Sequence, residues 1–146
     1  MPLYHWAALP YFNVLMNIGC RIEEVTNCNL WNIQDPSHPE LQTVKRGGIR
    51  YFDNNEIPIN YINNIRAGKQ RGYFYSASAI RRIYNQLVVY RDIKVKSKDI
   101  SIHLFRHRYI KQLYANGETI TSIARALGYV DEETAKYYVD SIIYLP

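Results

Sequence analysis

Residues 101–110 read SIHLFRHRYI, with His103 and His107 four apart and Arg106 and Arg108 beside them. On a helix, His103, Arg106 and His107 occupy positions i, i+3 and i+4 and project from one face. Three chemistries can use such a face. A metal site would take the two histidines as ligands, but the glutamate of the His-Glu-x-x-His pattern is missing and two guanidinium groups would oppose a divalent ion. A solvated basic helix with one histidine satisfied in the core is the bland alternative. The third is a phosphate site: guanidinium stays charged at any biological pH and can hold two phosphate oxygens, while imidazole exchanges protons near neutrality.

The rest of the chain sets bounds on that choice. Its 146 residues suffice for one compact domain with a core of its own, 1–146. Eighteen Lys and Arg against thirteen Asp and Glu leave a charge of +5, which mildly favours a polyanionic partner. Cys20 and Cys28 are too few for a zinc module or a disulfide framework and point to a reducing compartment. Cys20 reads as a small buried residue. No apolar run approaches a membrane span, and MPLYHWAALP at the start lacks the features of a signal peptide. The expectation is a soluble, intracellular protein with no membrane association, in the cytoplasm or nucleoid, or in a host cell if viral.

The hydrophobic pattern predicts a mainly α protein with a small antiparallel β-sheet (α+β). YFNVLMNIGC carries Phe12, Leu15, Met16 and Ile18 near helical spacing, with Gly19 as a stop before a short helix from Arg21. LQTVKRGGIRYFDNNEIPIN predicts a β-hairpin with a long tip, Pro58 lying in an edge-placed return strand. A basic loop around RAGKQRG should follow, then a helix capped by Ser76 or Ser78 with Ile80, Ile83, Leu87 and Tyr90 sharing a face. Three more helices are expected, over about 103–115, 119–127 and 132–142.

These pieces contain an ordered set of motifs. NIGCRIEEVTNCNLWNIQ, HLFRH and LGYVDEETAKYYV resemble, in order and separation, the active-site boxes of the tyrosine recombinase (phage integrase) catalytic domain. The resemblance runs from about Leu9 to Val139. It places Arg21 on the family's first active-site arginine, His103 and Arg106 on its His-x-x-Arg box, and His107 where a further histidine is common. Tyr129 falls where His or Trp is usual, and counting from Gly128 places the nucleophile at Tyr138. The family also carries a lysine on a β-hairpin between the first two boxes. Lys45 in LQTVKRGG stands there, with Arg46 and Arg50 as the other hairpin candidates. Tyr137, beside the proposed nucleophile, is expected to be a core aromatic. The family's separate N-terminal DNA-gripping domain is expected to be absent from this chain.

The resemblance implies a DNA strand transferase that cuts and rejoins through a covalent 3′-phosphotyrosine, without metal, nucleotide or other cofactor. Arg21 and Arg106 would clamp phosphate oxygens, His103 would help remove the Tyr138 proton, and Lys45 would protonate the leaving 5′-oxygen. The partner would be double-stranded DNA, with a homo-tetramer on paired sites. A basic rim of Arg46, Arg81, Arg82, Arg91, Lys94, Lys96, Lys98, His107, Arg108 and Lys111 would hold its backbone. Two rivals remain. A type IB topoisomerase uses a similar residue set, and a non-enzymatic helix-turn-helix protein would use Gly128 as the turn and DEETAKYY as its recognition helix. That helix would bring an acidic first turn to the groove, and the regulator reading leaves Arg21, Lys45 and His103 idle.

Overall fold

The computed structural model describes residues 3–44, 47–72, 74–90 and 102–144. Seven α-helices and a three-stranded antiparallel sheet appear among them. The first helix, α1 (Leu3–Ile18), buries Ala8, Tyr11, Phe12, Val14, Leu15 and Ile18 along one face. Met16 follows Leu15 by one residue, a step of about 100° around the axis, and is 50 % exposed. Gly19 ends the helix at φ 59, and a Cβ there would run into the Tyr109 ring. Only glycine fits both demands.

A one-turn helix, α2 (Ile22–Val25), follows, capped by Glu24, whose Oε1 accepts the Arg21 backbone N–H at 2.7 Å. The sheet comprises β1 (Trp31–Asn32), β2 (Glu40–Gln42) and β3 (Ile49–Tyr51) in spatial order. Its register pairs Trp31 with Leu41 and Leu41 with Arg50, so one inward row runs Trp31, Leu41, Arg50 across the three strands. All three are buried, the alternation of strand side chains carrying Arg50 into the core with the two apolar residues.

The second half of the expected hairpin is not a strand. Pro58 is the N-cap of α3 (Ile59–Arg71), and RAGKQRG forms the last turns of that helix and its Gly72 cap at φ 70. Tyr61, Ile62, Ile65 and Gly68 make its inner face. Gly68, which reads as a loop signal, is needed because a Cβ there would stand 2.9 Å from the Phe74 ring and 3.1 Å from the Cys28 sulfur. The hairpin turn lies between Gln42 and Ile49, closed by the Thr43 N–H donating to the Gly48 carbonyl at 2.9 Å.

Ser76 caps α4 (Ala77–Tyr90), its Oγ accepting the Ala79 N–H at 3.1 Å, and Ile80 and Ile83 are buried. The last three helices, α5 (Leu104–Ala115), α6 (Ile120–Ala126) and α7 (Glu132–Ile143), fall close to their expected spans. Two hydrophobic clusters result. The larger joins α1, the sheet, α3 and α4 around Tyr11, Trp31 and Tyr61, with Trp31 and Tyr61 ring centroids 5.3 Å apart. The smaller joins α5, α6 and α7 through Ile110, Ile123, Leu127, Val139 and Ile142. Helix α5 packs against both α1 and α7, so the polar groups between the clusters meet along it. No helix among the described residues is long and apolar enough to cross a membrane.

Candidate active site

Four of the side chains singled out in the sequence meet where the two clusters join. Arg21 leaves the chain two residues after the Gly19 turn, and its Nη2 donates to the Tyr129 hydroxyl at 2.9 Å. Arg106, one turn into α5 and 3 % exposed, donates from Nη1 to the Gly19 carbonyl at 2.7 Å and from Nε to the Tyr138 hydroxyl at 3.1 Å. Both cations stand close to the Tyr138 ring, with the Arg21 Cζ 5.8 Å and the Arg106 Cζ 5.7 Å from its centroid. Tyr129 completes the group, its ring centroid 6.0 Å from that of Tyr138. Residues 87 positions apart along the chain, Gly19 and Arg106, are thus joined directly.

Local sequence explains each placement. Asp131 caps α7 through the Glu133 and Thr134 N–H groups, and the helix buries Ala135, Val139 and Ile142. That face turns Tyr138 inward and leaves Tyr137 80 % exposed, so Tyr137 is a surface residue and not the core aromatic expected. Tyr129 follows Gly128, whose φ of 83 and close packing under Arg50 and Thr43 require glycine. Glu24 is 1 % exposed and ties two parts of the site together: Oε1 takes the Arg21 N–H and Oε2 takes the Val44 N–H at 3.1 Å. Its contact with Arg21 is thus through the backbone and not the side chain.

The electrostatics follow from these contacts. Burial alone would lower the Arg106 pKa, but the phenols of Tyr138 and Tyr129 and the Glu24 carboxylate outweigh it and move the value up. Arg106 is therefore a fixed cation. His103 stands at the start of α5, exposed, with its ring 6.5 Å from that of His107 and nearly parallel to it. Burial pulls the His103 pKa below its usual value; Glu23 opposes this, and Arg21, Arg106 and Arg81 add to it. His107 is lowered too, by burial and then by His103, Lys111 and Arg106. Both shifts favour the neutral imidazole near pH 7, in which one ring nitrogen can accept a proton and the other keeps its N–H to donate. The Cys20 thiol, 2 % exposed, is pushed up to about 12 by burial and is inert.

The remaining candidates divide. Lys45, Arg46, Arg91, Lys94, Lys96 and Lys98 lie outside the described residues. Of the hairpin candidates, Arg50 is within them; it is 4 % exposed and its Nη2 is spent on the Ile18 carbonyl at 2.7 Å. Arg81, Arg82 and Arg108 are exposed and Lys111 is half-buried. Arg81 is paired with Glu23 at 3.2 Å, a link between α4 and α2 with no sequence signature.

Around one phenol the arrangement provides two guanidinium groups, a second phenol and a neutral imidazole at the margin. Nitrogens of both arginines not engaged with protein acceptors can serve oxygen atoms of an anion, and the Tyr129 hydroxyl, while accepting from Arg21, keeps its proton to donate. Comparison with protein-family models, with curated proteins and with solved structures gave no match.

Proposed function

We propose that this chain is a DNA strand transferase of the tyrosine recombinase type, which cleaves and rejoins a DNA strand through a covalent phosphotyrosine at Tyr138. The observation that carries the reading is the Tyr138 hydroxyl held 3.1 Å from Arg106 Nε with the Arg21 Cζ 5.8 Å from the same ring. An attacking phenol has to meet a phosphorus whose non-bridging oxygens are already neutralised, and two guanidinium groups beside the phenol meet that need.

The reaction then runs as follows. A DNA phosphate takes its place against Arg21 and Arg106, which supply the charge that metal ions supply in many nucleases. The Tyr138 oxygen forms a bond to phosphorus and gives up its proton, with neutral His103 as the acceptor. The bond from phosphorus to the 5′-oxygen breaks, and that oxygen takes a proton, a role the resemblance gives to Lys45. Tyr129 donates to a phosphate oxygen while accepting from Arg21. The phosphotyrosine keeps the energy of the cleaved diester, so the reverse attack by a 5′-hydroxyl reseals DNA without a nucleotide. Double-stranded DNA is the substrate, held by the exposed Arg82 and Arg108, and assembly on paired sites as a tetramer completes the reading.

The helix-turn-helix alternative is less well supported. Helix α7 spends its inner face on Ala135, Val139 and Ile142 and directs Tyr138 to Arg106, while acidic Asp131 and Glu133 are exposed at its start. A DNA duplex nicked so that the cut product diffuses away should trap the protein covalently, and peptide mapping should find the adduct on Tyr138. Tyr138→Phe should bind the same duplex and form no adduct. An adduct that persists in this variant assigns the nucleophile elsewhere, with exposed Tyr137 first in line.

A further inference from the structure

Among the described residues, Arg50 is the one buried cation for which the proposed reaction has no use. It occupies an inward position of β3 beside Leu41 and is 4 % exposed. Its Nη2 donates to the Ile18 carbonyl at 2.7 Å, whereas Nε and Nη1 are buried with no partner. Its Cζ stands 5.0 Å from the Phe52 ring centroid and 6.0 Å from that of Tyr109. Among the described residues no carboxylate forms an ion pair with it. A cation buried without a counter-ion carries a desolvation cost that a well-packed apolar side chain in the same place would avoid, so its retention calls for a role beyond packing.

Its contacts lie beneath both ends of one hydrogen bond. At one end, Arg50 holds the Ile18 carbonyl while Arg106 holds the adjacent Gly19 carbonyl, so two guanidiniums from different elements grip consecutive carbonyls at the end of α1. Those carbonyls form the negative end of the helix dipole. Arg21 leaves the chain directly after them. At the other end, the Arg50 stem supports Gly128, where a Cβ would come within 2.8 Å of both Arg50 Cγ and Thr43 Cγ2; Tyr129 is the next residue. Gly48, two residues before Arg50, lies so close to the Gly128 carbonyl that a Cβ would overlap it. The pair so supported is Arg21 and Tyr129, 2.9 Å apart.

We propose that Arg50 is a positioning residue which, by gripping the end of α1 and carrying the Gly128 turn, sets the alignment of Arg21 and Tyr129 as an oxyanion-binding pair. This rests on the reading of the cluster as a phosphate site. A pair set by one shared support loses its alignment as a unit, whereas independent residues lose their contributions separately.

The test is a double-mutant cycle on the full chain, read by isothermal titration with inorganic phosphate at millimolar concentration and by single-turnover adduct formation on the nicked duplex. Arg50→Met should weaken phosphate binding about tenfold, the lower range for loss of a supporting contact. Tyr129→Phe alone should weaken it about threefold, one hydrogen bond's worth. The double variant should be no weaker than Arg50→Met, and Arg50→Lys, which keeps the charge and one donor for Ile18, should recover much of the loss. If Arg50→Met gives no cooperative melt, Arg50→Gln carries the same cycle. Losses that multiply, an Arg50→Lys as weak as Arg50→Met, or no phosphate binding by the unsubstituted protein would each overturn the inference. Failure of the unsubstituted protein to form a DNA adduct, with the phosphate cycle intact, overturns the strand-transfer reading and leaves the role of Arg50 standing.

Discussion

Arg106→Lys separates chemistry from grip more sharply than any other single change. The guanidinium serves two acceptors from two nitrogens, the Gly19 carbonyl at 2.7 Å and the Tyr138 hydroxyl at 3.1 Å. An ammonium is a single point on a flexible stem and cannot reach both while also facing a phosphate. One hydrogen bond involving a charged group is lost, a cost of about 1.5–3 kcal/mol. For a chain of this size each kcal/mol lowers Tm by about 2–4 °C, so the variant should melt roughly 3–12 °C lower and remain folded at 25 °C. The charge survives, so the affinity for DNA should change less than about tenfold, under 1.4 kcal/mol. Transition-state stabilisation depends on the missing fork, and removal of one such donor costs about 10²–10³ in rate. The assay is single-turnover adduct formation at saturating protein, with affinity measured separately by fluorescence anisotropy. Equal losses in rate and affinity would refute the reasoning, because they would make Arg106 a binding residue without a share in the chemical step.

Three further outcomes follow from the charges. His103 and His107 both have pKa values lowered in the fold, so each is neutral at pH 7; adduct formation should fall as pH drops below about 6.5, through the lowered His103 value. Stability should follow the same sign, since a lowered folded-state pKa contributes above the unfolded value and is lost as pH falls through the folded one; Tm measured from pH 7.5 to 5 should decline, and His103→Gln with His107→Gln should flatten the decline. In salt titrations of DNA binding, Arg82→Ala and Arg108→Ala should each reduce the slope of log K against log salt by about 1 if each side chain meets one phosphate, and an unchanged slope removes that residue from the interface.

How far the sequence reached differs between helix and strand. Helices α1, α5, α6 and α7 were legible because each repeats an apolar face at helical spacing and carries a stop or cap, such as Gly19 after α1 or Asp131 before α7. Helix α3 was not, because Pro58, Gly68 and a run of basic residues are local loop signals, and only the packing of Phe74 and Cys28 onto Gly68 turns them into requirements of a buried helix face. Strand β1, two residues long, has no pattern of its own and exists through its pairing with β2. Tyr137 and Tyr138 are equivalent as letters and differ only by a 100° step around α7.

Residue identity and spacing along the chain by themselves determined the mainly helical class, the basic balance and the face shared by His103, Arg106 and His107, because helical period and side-chain chemistry are local properties; Arg21, Tyr129 and Tyr138 became candidates through the resemblance of the ordered motifs to a known family. The tertiary structure alone decided that Arg21, Arg106, Tyr129 and Tyr138 meet, that Glu24 serves the backbone on two sides, and that Arg50 lies in the core under the Gly128 turn. Those outcomes depend on which helix end abuts which strand, and that is settled by the packing of two hydrophobic clusters whose members are far apart in sequence.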